Sequence, residues 1–513
     1  MPQTVDIYMR HRQRHSSILV TRAWSVYIYH PMDQIIHSSS ISSSVTMADN
    51  PQPHFLFITY PMQSHINPAL HLAKHLATTT GATVTFSTTI FAHRRMFSST
   101  TNSDKGFIDG LITYLPFSDG FDEEGYKRAT MDPKEYFSLF RTNSKRNVSI
   151  LLNDLATSGR PVKCIVYTLL LDWVVDIAGE HGIPSVLYWI QAATVFGTYY
   201  HFFHGFECLI KAHADDPSFP VCFPGLPPLQ IRDLPSFLTD TEADGIYATI
   251  LDSFRELFKI LDGKQEKKMK KPKVLINTFQ EWETVALASF SNEVEAIPVG
   301  HLPKEYTNSV VGCLFREDEK KYMEWLDTKE EGSVVYISFG SVSMMKKEQM
   351  EEIVKALKQS KRPYLWVVRK DNREEELLEI EEGEDGMVVE WCSQVRVLAH
   401  RAVGCFVTHC GWNSTLESLV CGVPMVGVPH WTDQAMNAKL VESFWGCGVR
   451  SEVDGVIKGE ELVKCLEMVM GEGGKSVDIR RRAKMQKDKA LEAVGEAGSS
   501  HLNLMALVRM FTE

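Results

Sequence analysis

Two short stretches carry residues that could do chemistry. The first is "THCGWNSTLE", residues 408–417, where His409 and Cys410 stand side by side ahead of Gly411, a polar Asn413-Ser414-Thr415 run and Glu417. A strand ending at His409, a turn through Cys410 to Trp412 and a helix opening at Asn413 or Ser414 would present free backbone N–H groups. Such a terminus holds an anion without any Lys or Arg. A competing reading makes Ser414 and Glu417 a capping box, because Ser-x-x-Glu satisfies two orphan amides reciprocally. A shared metal ion is disfavoured: adjacent side chains at a strand end point apart, and neither Cys392 nor Cys405 completes a zinc-ligand spacing with His409 and Cys410.

The second stretch is "YPMQSHINPALHLAKHL", 60–76, with His65 just ahead of a helical pattern in which Ala69, Leu72, Ala73 and Leu76 share one face. Pro68 after Asn67 fits a first helical position, which leaves His65 in the preceding loop. A neutral His there can remove a proton from a bound acceptor, although a loop His standing alone is more often a plain surface residue.

The elements that position both stretches alternate strand and helix. "HFLFITYP" (54–61), "ATVTFSTT" (82–89), "CIVYT" (164–168), "PSVLYW" (184–189) and "KVLINTF" (273–279) form one series. A second runs through "SVVYISFGS" (333–341), "PYLWVVR" (363–369), "GMVVEW" (386–391), "GCFVTH" (404–409) and "PMVGVP" (424–429). Strand–helix–strand order implies parallel sheets, so an α/β protein with two facing sheets and a cleft between them is expected. The segments are 51–298, a linker over 299–322, a second domain over 323–495 and a C-terminal helix within 496–513 that packs back on the first. The chain of 513 residues accommodates two cores of roughly 200 to 250 residues each.

A net charge of -11 argues against nucleic acid or an anionic membrane as partner. The longest apolar run, "CIVYTLLLDWVVDIA", is interrupted by Asp172 and Asp176, so no membrane span is expected. The ten Cys lack framework spacing and read as buried free thiols. Residues 1–46 are Arg- and Ser-rich and poor in acid, the composition of a plastid transit peptide. The alternative is an extension ahead of a start at Met47, with a cytoplasmic protein. On either reading this segment lies outside the fold. The charge runs at 264–273 and 372–385 read as solvated helix ends and loops.

The 44 residues from Trp391 to Gln434, "WCSQVRVLAHRAVGCFVTHCGWNSTLESLVCGVPMVGVPHWTDQ", resemble the signature box of plant secondary-product glycosyltransferases, and the likeness extends over about 50–513. The resemblance implies two facing Rossmann-like domains, the GT-B arrangement, and an inverting, metal-independent monomer that takes UDP-glucose and a small acceptor with no cofactor. It further implies that Trp391 stacks on uracil and Gln394 reads its edge. His409, Asn413 and Ser414 would hold the diphosphate with the helix N-terminus, and Glu417 the ribose hydroxyls. Trp412, Asp433 and Gln434 would fix the sugar, while Gly340 and Ser341 of "SFGS" would lie near the β-phosphate. Trp431 is read as core packing.

By the same resemblance His65 is the general base. Ser64 replaces the usual Gly before it. Where the family places an Asp to orient that base, this chain has Thr168, and Asp172, four residues on, is expected to cap a helix. A hydroxyl can orient an imidazole but cannot offset its positive charge. That loss matters least for an acceptor already ionised near neutral pH, a carboxylate first and an acidic phenol second. "VYTLLLDW", "LYWIQAATV" and "FPGLPPLQIRDLPSF" resemble the branch containing crocetin glucosyltransferases, anthocyanin 5-O-glucosyltransferases and enzymes esterifying auxin-like acids. Two other classes compete. A catalytically silent nucleotide-sugar binder would read Thr168 as decay. A dinucleotide oxidoreductase would need Gly-x-Gly-x-x-Gly, which "YPMQSH" lacks.

Overall fold

The first half folds because its strands are short apolar runs that can be buried on both faces. The computed structural model describes residues 52–97, 106–127, 131–240, 245–266, 271–302, 321–340, 345–369, 385–451 and 456–512. Strands β1 (His54–Ile58), β2 (Thr83–Ser87), β3 (Phe107–Asp109), β4 (Ile112–Tyr114), β5 (Cys164–Tyr167), β6 (Ser185–Trp189), β7 (Pro220–Val221), β8 (Leu229–Gln230), β9 (Lys273–Ile276) and β10 (Glu295–Pro298) belong to this half. Eight of them make one sheet in the order β10-β9-β6-β5-β1-β2-β4-β3, parallel except where β3 turns back on β4. β7 and β8 form a separate antiparallel ribbon. Every residue of β1 and β5 is buried, the pattern of parallel strands covered by helices on both faces.

The second half carries β11 (Val334–Ser338), β12 (Tyr364–Val367), β13 (Gly386–Val389), β14 (Val403–Thr408), β15 (Met425–Gly427) and β16 (Gly448–Arg450). They lie in the order β13-β12-β11-β14-β15-β16, all parallel. Both sheets reverse their winding at one internal point, between β1 and β5 in the first and between β11 and β14 in the second. Loops leaving two neighbouring strands in opposite directions open a crevice there, which is where α/β sheets bind ligands. Register pairs Ile58 with Tyr167 and Ser338 with Thr408, so each pair of strands ends level at its crevice.

Buried tryptophans tie the halves together. The Trp412 indole donates to the Asn277 carbonyl at 2.7 Å, Trp445 to Trp282 O at 3.1 Å and Trp282 to Gln486 O at 3.1 Å. Helix Ser499–Arg509 lies against the first sheet, where Asn503 donates to Pro298 O and Phe511 meets Phe55 edge-on at 5.6 Å.

Several expectations change. Helix Gln63–Thr80 begins five residues before Pro68, so His65 sits in its first turn and not in a loop. The short strands β3, β4, β10 and β16 were not anticipated; three or four residues are too few to show a period. Among the described cysteines none is disulfide-bonded, but Cys208 and Cys222 are exposed instead of buried. Residues 1–51, most of the 299–322 linker (303–320), residues 267–270 of the first charge run, nearly all of the second (372–384) and Ser341 lie outside the described residues. Among the described residues no helix is long and apolar enough to cross a membrane.

Candidate active site

The crevice of the second sheet is built around His409, the first residue after β14. Its ring passes between two glycines: a Cβ on Gly340 would lie 2.7 Å from His409 Nε2, and one on Gly411 2.5 Å from it. Gly340 also has φ +78, which costs any other residue strain. Cys410 follows in the same left-handed region (φ +59), with its carbonyl held by Asn437 Nδ2 at 2.9 Å. Burial lowers the His409 pKa to about 3, with nearby His430 adding to the effect, so the ring is neutral at neutral pH.

Helix Trp412–Cys421 opens at Trp412, one or two residues earlier than expected, with Gly411 as its N-cap and no side chain capping it. Ser414 is therefore the third helical residue, and the capping box weighed for Ser414 and Glu417 does not form. Both instead meet Gln394, whose Nε2 donates to Ser414 Oγ at 3.0 Å and to Glu417 Oε2 at 2.7 Å. Tyr336 of β11 completes the group by donating to Gln394 Oε1 at 3.3 Å. Four side chains from three elements thus hold a carboxylate, two hydroxyls and an amide beside the uncapped N–H groups of the helix. Trp391, two residues past β13, is half-buried.

Trp412 turns its indole into the seam between the halves. Its indole N–H is committed to Asn277 and the ring lies 6.2 Å from Trp445 in the seam, leaving its side chain no hydrogen bond for a sugar. Asp433 and Gln434 are both buried. Asp433 accepts from Thr432 Oγ1 and Asn437 Nδ2, each at 2.8 Å; burial raises its pKa despite those donors. Gln434 Oε1 takes the N–H groups of His430 and Trp431, which orients the amide and leaves Nε2 as the donor. Trp431 packs on Tyr247 with rings 6.3 Å apart and nearly parallel.

In the first half, the same crevice position brings His65 and Thr168 together. Thr168, the residue after β5, places Oγ1 3.3 Å from His65 Nδ1, and the same oxygen accepts the N–H of Tyr60 at 3.2 Å. A hydroxyl can donate or accept, so it tolerates either tautomer of His65, whereas a carboxylate would require Nδ1–H and a bare Nε2. Burial lowers the His65 pKa to about 3, and a place in the first turn of a helix also disfavours a cation. Aromatic rings close over it: Tyr60 lies 5.4 Å away and packs on Phe137 and Phe140.

Asp172 neither caps a helix nor reaches the base. Its carboxylate pairs with Arg141 of helix Pro133–Thr157, and helix Val174–Glu180 starts at Val174 with no side-chain cap. Another buried carboxylate of this region, Asp119, accepts the N–H of Phe121, and burial raises its pKa to about 6.

One bond joins the two crevices. Pro68 has no N–H, so the carbonyl four residues back, Ser64 O, is left without its helical partner. Asn413 Nδ2, from the first turn of the second-half helix, donates to it at 3.1 Å. Next to this contact a small, partly open pocket is lined by Asn67, His71, Asn277, His301, Asn413 and Glu417. Sequence reasoning missed Asn277, Tyr336 and Asn437, whose roles arise only from packing across elements. Among the described residues no group of three or more His, Cys, Asp or Glu could hold a metal ion.

The model of the family described as UDP-glucoronosyl and UDP-glucosyl transferase matches residues 285–498. The chain is 44% identical over 474 residues to the crocetin glucosyltransferase, chloroplastic, of Gardenia jasminoides, covering 89% of this chain and 97% of that protein. It is also 44% identical over 486 residues to the phloretin 4'-O-glucosyltransferase of Malus domestica, with the same coverage of both. Among solved structures, Os79 from O. sativa in complex with UDP is similar at a TM-score of 0.72 and 30% identity, over 89% of this chain and 100% of that one.

Proposed function

The chain belongs to the UDP-glucoronosyl and UDP-glucosyl transferase family, a glycosyltransferase of the GT-B fold, and from that premise we propose that it glucosylates a small hydrophobic carboxylic acid, giving a glucose ester. UDP-glucose is the donor. On this reading the uncapped N-terminus of helix Trp412–Cys421, with His409, Asn413 and Ser414, offsets the charge of the diphosphate in place of a metal ion. Trp391 and Gln394 take the uracil and Glu417 the ribose. Glu417 must then loosen its bond to Gln394 as the ribose hydroxyls arrive.

The acceptor oxygen attacks C1 of glucose from the side opposite the leaving group. The C1–O bond to the diphosphate breaks, its electron pair departs with UDP, and the anomeric centre inverts. A carboxylate brings no proton to remove; a phenol must lose one to His65 Nε2.

The observation that carries the choice of acceptor is the partner of His65: a hydroxyl at 3.3 Å, with Asp172 committed to Arg141. A base held neutral by burial and without a counter-charge is poorly placed to become a cation. The second reading, O-glucosylation of an acidic phenol such as an anthocyanin or other flavonoid, is favoured by the phenolic position in the name of the Malus relative.

A screen of carboxylic and phenolic acceptors with UDP-glucose tests both. Products that mild base or hydroxylamine cleaves are esters; if every product survives that treatment, the carboxylate reading fails. The plastid alternative for residues 1–46 has support in the word chloroplastic in the Gardenia relative's name. Import of the full chain into isolated chloroplasts tests it.

A further inference from the structure

Thr432 is one of four described non-glycine residues in the left-handed region, with φ +58. It stands immediately before Asp433 and Gln434, and it is gripped from the other half of the molecule. Ser236 N–H donates to Thr432 O at 2.9 Å, and Thr432 N–H donates to Ser236 Oγ at 2.8 Å. A single serine therefore satisfies both backbone polar groups of the strained residue.

The contacts around this pair belong to the same segment of the first half. Trp431 stacks on Tyr247 and meets Phe237 edge-on at 6.4 Å. Three residues before Ser236, Asp233 accepts Arg450 Nη1 at 2.7 Å, and that carboxylate is almost wholly buried. Its second oxygen takes the N–H of Gln230, which fixes the segment's own backbone. The stretch "QIRDLPSF" is thus fastened to the 431–450 region at three places.

We propose that Ser236 is a positioning residue for the donor sugar, holding Thr432 in its left-handed conformation so that Asp433 and Gln434 face the glucose hydroxyls. The inference rests on the reading that Asp433 and Gln434 hold the sugar. The chain of support is short: Ser236 fixes Thr432, Thr432 Oγ1 donates to Asp433 at 2.8 Å, and Gln434 Oε1 is held by the N–H groups of His430 and Trp431. Nothing in this chain touches the Gln394, Ser414 and Glu417 group. Loss of the clamp should therefore weaken recognition of the sugar and leave that of the nucleotide intact. It also places a determinant of donor sugar recognition in the half that binds the acceptor.

The test compares the KM for UDP-glucose with the Kd for UDP, measured by calorimetry, in Ser236→Ala, Ser236→Thr and Asp433→Asn. Ser236→Ala leaves the Thr432 N–H without its acceptor and is expected to raise the KM about 10-fold while the Kd for UDP stays within about twofold. Ser236→Thr keeps the hydroxyl and should return the KM to within about threefold of the parent. Ser236→Cys, a weaker acceptor of similar size, should give the same split at smaller amplitude and substitutes for the alanine variant where that does not fold.

An unchanged KM in Ser236→Ala, or a KM and Kd shifted by the same factor, overturns the proposal if Asp433→Asn raises the KM alone. If Asp433→Asn also leaves the KM unchanged, the assignment of the sugar site is what fails, and the proposal falls with it.

Discussion

A histidine lies at the crevice of each half, His65 in the helix after β1 and His409 directly after β14, both strands flanking the point where their sheet reverses winding, and burial lowers the pKa of each to about 3. Their surroundings differ. His409 lies between two glycines whose missing side chains make room for its ring, next to a fixed set of polar groups from Gln394, Ser414, Glu417 and Tyr336. His65 has one hydroxyl partner and faces the ring of Tyr60, which is backed in turn by Phe137 and Phe140. A site for one invariant ligand can be assembled from preformed hydrogen bonds. A site for an apolar acceptor needs shape and dryness, with one polar residue deciding what chemistry is allowed there.

The largest effect should come from filling the space around His409. Gly340→Ala combines left-handed strain with a Cβ 2.7 Å from the ring. It is expected to lower kcat/KM for UDP-glucose roughly 100-fold, the cost of misplacing one group that stabilises the leaving oxyanion. The KM for the acceptor should stay near the parent value; a fall in acceptor affinity of the same size would erase the distinction between the two crevices.

A gain is predicted on the other side. Thr168→Asp would supply the counter-charge that His65 lacks and require the tautomer with a bare Nε2, so turnover on a phenol should rise about 10-fold and turnover on a carboxylate should not. Steady-state rates on one acceptor of each kind decide it. Unchanged rates on both would mean that position 168 does not govern the base.

The smallest effect concerns acid stability. Both histidines have folded-state pKa values depressed from 6.5 to about 3, so the unfolded chain binds more protons between those limits. Their contribution to stability is present above the unfolded value and falls away as pH drops below about 6.5, by up to about 1.4 kcal/mol per pH unit for each. His65→Gln should therefore lose about 1 kcal/mol less than the parent between pH 7.5 and 5.5, read from urea midpoints. If UDP binds as proposed, a polyanion beside His409 and away from His65, it should reduce the loss in His65→Gln as much as in the parent. If it protects only the parent, the anion acts at the wrong histidine.

The second-half crevice, which we propose takes the donor, was legible because its residues lie close together in sequence. Glycines and polar residues around one strand-to-helix junction announce an anion site, and the frame from Trp391 to Gln434 identified the family. Misreadings arose where a second element intervenes. The seam role of the Trp412 indole was not foreseen, because its partner, the Asn277 carbonyl, lies 135 residues away. His65 was placed in a loop because Pro68 reads as a helix start. The helix instead begins at Gln63, and the carbonyl that Pro68 leaves unpaired is taken up by Asn413 from the other half. Asp172 was given to a helix cap because nothing local reveals Arg141. The clamp of Ser236 on Thr432 joins residues 196 apart and leaves no local pattern at all.

The central claim is that the first-half crevice, lacking a carboxylate beside its base, serves an acceptor that arrives already ionised. It is tested most directly by His65→Ala, with single-turnover rates measured for a carboxylic and a phenolic acceptor against saturating UDP-glucose. The rate on the phenol should fall by about 100-fold or more and the rate on the carboxylate by about 10-fold or less. Equal collapse on both would contradict the account, because it would show that His65 does more than remove a proton the carboxylate does not carry.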